Sequence, residues 1–96
     1  MNLLDYTVEC HKIASEKGFW DKSQNIAEKL MLCVTELAEA CEADRNDNRD
    51  NFKEEIADTF IRLFDLCGYL GINIEKEINK KMKINKGRPR LHGKKY

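Results

Sequence analysis

Residues 24–70 read QNIAEKLMLCVTELAEACEADRNDNRDNFKEEIADTFIRLFDLCGYL, and this stretch decides the fold. From Gln24 to Asp44 apolar residues recur at three and four positions in two stripes. Ile26, Leu30, Cys33, Leu37 and Ala40 form one, and Ala27, Met31, Val34, Ala38 and Cys41 the other. That period is helical, and a helix apolar over so wide an arc must meet neighbours on more than one side. It is therefore expected to be the central helix. Arg45 to Asp50 is a polar connection of the length that joins antiparallel helices. From Asn51 to Leu70 the period resumes through Phe52, Ile56, Phe60, Leu63, Cys67 and Leu70, with Gly71 as the stop.

Working outward, an earlier helix is expected from about Leu3 to Lys17, capped by Asn2, apolar at Leu3, Tyr6, Cys10, Ile13 and Ala14, and ended by Gly18. A later one spans Ile74 to Lys86, capped by Asn73, with Glu75 and Glu77 in the first turn where the dipole favours acids, and ended by Gly87. Its apolar side, Ile74, Ile78 and Met82, is thin. Arg88 to Tyr96 form a basic tail in which Pro89 prevents helix continuation. One proline and five glycines leave little material for a sheet with tight turns. The expectation is a single all-α domain over residues 1–96, a four-helix bundle-like protomer.

A 96-residue chain buries only about two thirds of its unfolded surface. The wide apolar arc of the second helix needs more cover than thin-faced partners supply, so a homodimer or homotetramer is expected. No apolar run approaches the roughly 18 residues needed to cross a bilayer, and Asp5 and Glu9 stand where a signal peptide would be positive. A cytoplasmic protein is the corresponding expectation. The four cysteines, Cys10, Cys33, Cys41 and Cys67, include no pair at the spacing of a zinc knuckle or redox motif and read as buried reduced thiols.

The even balance of 17 basic and 17 acidic residues conceals an asymmetry. Between Glu36 and Asp58 nine acids face only Arg45, Arg49 and Lys53, whereas from Lys76 onward nine bases face only Glu77. A negative middle suits cations and a positive end suits anions.

Within the negative middle, Glu36-Leu37-Ala38-Glu39 and Glu55-Ile56-Ala57-Asp58 place two carboxylates on one side of each long helix. If the pairs of these antiparallel neighbours face each other, four carboxylates share a partly apolar site. Such a cluster takes up protons or binds cations. All-oxygen ligation suits Mg2+, with Mn2+ as an alternative, and a metal-bound phosphate compound as ligand. Spacing alone is equally compatible with salt-bridged, solvated faces.

Glu36-x-x-Glu39, fifteen intervening residues, and Glu55-x-x-Asp58 resemble the signature of the all-α nucleoside triphosphate pyrophosphatases, the MazG-like superfamily. The resemblance extends over nearly the whole chain, through His11, Trp20, Lys81-Met82-x-x-Asn85-x-x-Arg88-Pro89 and the His92-Gly93-Lys94-Lys95-Tyr96 ending. It implies Mg2+-dependent cleavage of a nucleoside triphosphate between its α and β phosphates. Glu36, Glu39, Glu55 and Asp58 would be metal ligands, with Glu36 or Glu39 as the base.

By the same resemblance Lys81, Asn85 and Arg88 would contact phosphate or sugar, and His11 and Trp20 the nucleobase. Read singly, these residues are more often a solvated basic helix end, a surface or satisfied histidine and a core tryptophan. Arg62, which shares a stripe with Asp58 and Asp65, is expected to pair with a carboxylate. Thr35 stands where many relatives carry another acid, and the Arg45–Asp50 connection holds nothing resembling a substrate lid.

Three rivals follow from the same residues: a phosphoribosyl-ATP pyrophosphohydrolase, a nucleic-acid-binding module using Lys76 to Lys95, and a non-catalytic interaction protein. The acidic middle and the absence of interleaved aromatics weigh against a nucleic-acid partner.

Overall fold

A computed structural model describes all residues from Met1 to Tyr96. Four α-helices follow in order, α1 (Leu3–Glu16), α2 (Ile26–Arg45), α3 (Arg49–Leu70) and α4 (Ile74–Lys86), then a short 3-10 turn at Arg90–Gly93. There is no strand, and no helix is long and apolar enough to cross a membrane.

Asparagine caps every α-helix. Asn2 closes a reciprocal capping box with Asp5, and Asn25, Asn48 and Asn73 accept from the backbone amides of Glu28, Asn51 and Lys76. The caps move two of the sequence-based boundaries. α2 starts after Asn25 rather than Ser23, and α3 starts after Asn48, which shortens the α2–α3 connection to Asn46, Asp47 and Asn48. α3 ends where Gly71 turns left-handed at φ 70°, a conformation that disfavours residues with a β-carbon.

The hub is α3, not α2. α3 packs along both α1 and α2, whereas α4 meets α1 through a small contact. Only one side of α2 is therefore covered, and the open side takes Leu30 and Leu37 from one apolar stripe as well as Met31 and Val34 from the other. Cys33, Glu36, Ala40 and Ala43 are buried against α3, while Leu30, Met31, Val34 and Leu37 remain 47 to 56% exposed. The expected four-helix bundle is thus an open arrangement in a single chain, with a radius of gyration of 15.8 Å. A compact domain of this length has about 12–13 Å.

Cross-contacts between α1 and α3 lock that pair. Tyr6 stacks on Phe64 with ring centroids 5.6 Å apart, and Ala14, Trp20 and Leu66 form the small buried core. Gly68 permits the crossing, because a β-carbon there would lie 2.5 Å from the Thr7 carbonyl oxygen and 2.7 Å from His11 Cβ. All four thiols are free, but only Cys33 and Cys67 are buried; Cys10 is half-buried, and Cys41 is exposed because it lies on the uncovered side of α2.

Candidate metal centre and adjoining cavity

Helical spacing and the short antiparallel turn together bring Glu36 and Glu39 of α2 against Glu55 of α3. One carboxylate oxygen from each lies within 4.8 Å of the others. Glu36 is buried, Glu55 half-buried and Glu39 exposed, so the cluster runs from the interior to the surface of the α2–α3 seam. Oε2 of Glu55 is buried without a hydrogen-bond partner. An acceptor-only group in that position requires a proton or a cation.

The three carboxylates divide their charge unequally. Burial, the largest single influence on Glu36, opposes its ionisation. The hydrogen bond from Arg62, the sharing of a proton with Glu55 and the Arg62 charge outweigh it and hold the Glu36 carboxyl below its ordinary range. Arg62 Nε donates to Glu36 Oε1 at 2.9 Å. Glu55 is pushed up to about 7, chiefly because its protonated form hydrogen-bonds to Glu36 and Glu39, with burial and their negative charges adding to the effect. Without a cation the cluster thus retains a proton near neutral pH.

Asp58 does not join this group. One turn beyond Glu55, it lines a neighbouring cavity of about 350 Å³ together with Glu36, Arg62, Asp65 and the apolar Ile13, Phe19 and Ile61. On the other side, Glu39 and Glu55 border a polar hollow of about 260 Å³ at the α2–α3 turn, shared with Asn46, Asn48 and Asn51. The cluster therefore separates an apolar cavity from a polar one.

Behind the apolar cavity lies a network centred on Asp65. Trp20 Nε1–H donates to Asp65 Oδ1 at 2.9 Å, and His11 Nδ1 lies 2.9 Å from the same oxygen. A carboxylate only accepts, so His11 carries its proton on Nδ1. Tyr69 stacks on Trp20 at 4.0 Å between centroids, and the Lys29 ammonium sits 4.5 Å over the indole. Trp20 is 6% exposed, so its ring is a core anchor rather than an open stacking surface. Neither His11 nor Trp20 lines the cavity. They reach it only through Asp65.

Lys81, Asn85 and Arg88 sit at the far end of the chain from the acids. They line neither cavity, and Arg88 Nη1 approaches only His92 Nδ1, at 3.4 Å. Asn85 Oδ1 is buried without a partner.

Arg62 does pair with a carboxylate, although the partner is Glu36 across the seam rather than Asp58 on its own stripe. The roles of Asp65 and Tyr69 had no comparable sequence signal. Asp65 meets His11 and Trp20 at separations of 54 and 45 residues, and the stripe it shares with Asp58 and Arg62 gave its face but not these partners.

Compared with protein-family models, with curated proteins and with solved structures, the chain matches none.

Proposed function

We propose that the protein is a cytoplasmic, Mg2+-dependent nucleoside triphosphate pyrophosphohydrolase that cleaves the α–β anhydride to a nucleoside monophosphate and pyrophosphate. The observation that carries this reading is the convergence of Glu36, Glu39 and Glu55 within 4.8 Å across the α2–α3 seam, with a buried Glu55 oxygen lacking any donor. Hard oxygen ligands at this density fit Mg2+ or Mn2+. The ion would be held by these three carboxylates, with Asp58 beside them at the cavity wall.

A bound divalent ion supplies neutralisation of phosphate oxygens and acidification of a bound water. The chain's own residues supply the rest. Arg62 fixes Glu36 through its 2.9 Å bond and so sets the position of the deepest carboxylate. Glu36 already gives Oε1 to Arg62, whereas Glu39 is exposed and makes no ion pair, so Glu39 is assigned the proton of the attacking water. The apolar cavity excludes water from one side of the cluster, and the asparagine-lined hollow offers amide donors to phosphate oxygens on the other.

In this reading the working unit is a homodimer or homotetramer. Only ten of 96 residues are buried in one chain, and Met31, Val34, Leu37 and Phe60 leave an apolar surface that a second copy would cover. Lys81, Asn85 and Arg88 then act at a neighbouring chain's acids, or not at all.

The test is a panel of ribo- and deoxynucleoside triphosphates with Mg2+, scoring pyrophosphate against orthophosphate, for the wild type and Glu39→Ala. Pyrophosphate as first product, with a loss of at least about 100-fold in kcat for the variant, is expected. Orthophosphate as first product, or an unaffected variant, refutes the assignment.

A further inference from the structure

We infer that Asp65 reads the nucleobase, selecting bases that carry an exocyclic amine, with cytosine the smallest, over uracil and thymine. This rests on the proposed nucleotide chemistry and adds the specificity of the same site. The Asp65 side chain is 15% exposed, and Asp65 lines the 350 Å³ cavity, where five of the other eight lining residues are apolar and the rest are Glu36, Asp58 and Arg62. A cavity of this size is near the lower end for small-molecule sites, about 300–1,000 Å³, and suits a single planar ring between Ile13, Phe19 and Ile61.

Both hydrogen bonds to Asp65 fall on one oxygen. Trp20 Nε1–H and His11 Nδ1–H each reach Oδ1 at 2.9 Å, and Oδ2 accepts nothing within the chain. Two donors on buried or half-buried side chains hold the carboxylate in one orientation and leave the second oxygen as an oriented acceptor. Arg62 lines the same cavity and uses only Nε, on Glu36, so its terminal nitrogens are free donors.

The cavity therefore presents Asp65 as an acceptor held by two donors and Arg62 as a cation with free donors, while the Glu36 and Asp58 carboxylates on its wall belong to the acidic side assigned to the metal. Cytosine complements both Asp65 and Arg62, because its amine donates while the adjacent ring nitrogen and carbonyl accept. Uracil and thymine offer one ring N–H flanked by two carbonyl oxygens, and bringing it to a carboxylate sets those oxygens against Oδ2. A site built around a buried hydrogen-bonding group rejects analogues that leave it unmatched.

The experiment uses uncharged nucleosides without Mg2+, so that base reading is separated from phosphate and metal chemistry. Calorimetry on the full chain compares deoxycytidine, deoxyuridine and the 2-pyrimidinone deoxyriboside, which lacks only the amine. Emission of the single tryptophan, Trp20, provides a second readout. Deoxycytidine is expected to bind about 10- to 100-fold more tightly than either other ligand, the range for one hydrogen bond to a charged group.

Asp65→Asn keeps an acceptor for Trp20 but replaces the second oxygen with a donor amide. It is expected to reduce that ratio to near unity. The ligand-side comparison stands on the wild type alone if the variant folds poorly. Equal affinities, a preference for deoxyuridine, or no binding of any nucleoside at millimolar concentration overturns the inference. Absence of base discrimination in the wild type with pyrophosphate release intact overturns it alone. Discrimination without any hydrolysis overturns the proposed activity and leaves a base-binding site.

Discussion

Replacing Arg62 with Met removes the one cation that faces the acidic cluster while keeping most of the side-chain volume. In the native chain its guanidinium meets Glu36 Oε1 at 2.9 Å, and the side chains of Arg62 and Glu36 are 31% and 10% exposed. Stripping a fully buried ion pair of one partner costs about 3–5 kcal/mol. Partial exposure of Arg62 lets water replace some of the loss, which brings the expected destabilisation to about 2 kcal/mol, within the range for a hydrogen bond to a charged group. For a chain of this size that corresponds to a fall in Tm of about 8–16 °C.

The pH dependence carries the reasoning. Glu36 is held below its ordinary value of 4.5, so its contribution to stability is present above that value and disappears as pH falls through the lower folded value. The deficit of Arg62→Met relative to wild type should therefore be full near neutral pH and vanish in acid. Urea unfolding with EDTA across that range measures it, and adding Glu36→Gln to the variant should recover most of the lost stability. A deficit undiminished in acid would show that Arg62 acts by packing its stem, and would refute the electrostatic account of the cluster.

Three further outcomes are expected. Mg2+ affinity should rise with pH through about 7 with release of about one proton, because the ion displaces the proton that Glu55 retains; Glu55→Gln should weaken binding at least tenfold, read by calorimetry in buffers of different ionisation heat. The sign is opposite for the metal-free fold, since a raised Glu55 contributes stability below its ordinary 4.5 that is lost as pH climbs through about 7. Gly68→Ala places a β-carbon 2.5 Å from the Thr7 carbonyl oxygen and should destabilise the α1–α3 crossing by about 1–3 kcal/mol in denaturant unfolding, whereas Gly87→Ala, whose nearest neighbour is 3.6 Å away, should leave it unchanged. Val34→Glu, at a half-exposed position on the uncovered side of α2, should lower the mass seen by sedimentation without unfolding the chain.

How much of this was legible beforehand depends on the range of the interaction. Periodicity and punctuation act within a turn or two, so the four helices, the asparagine before α4 and the glycine that ends α3 were readable from neighbouring residues alone. The three-residue spacing of Glu36 with Glu39 likewise placed two acids on one side of a helix before any tertiary contact was known. Their convergence with Glu55 followed from one further inference, that a short connection makes α2 and α3 antiparallel.

What no local pattern contained was the choice of hub. α2 has the wider apolar arc, yet α3 receives both neighbours, because Gly68 lets α1 approach it closely and the aromatic residues Tyr6 and Phe64 fill the crossing. The separation of Asp58 from the acidic trio, and the reach of His11 and Trp20 to Asp65, follow from that packing. Hydrogen bonds spanning 45 and 54 residues leave no periodic trace in a chain, since side chains so far apart are brought within 3 Å only by the packing of α1, and of the turn that follows it, on α3.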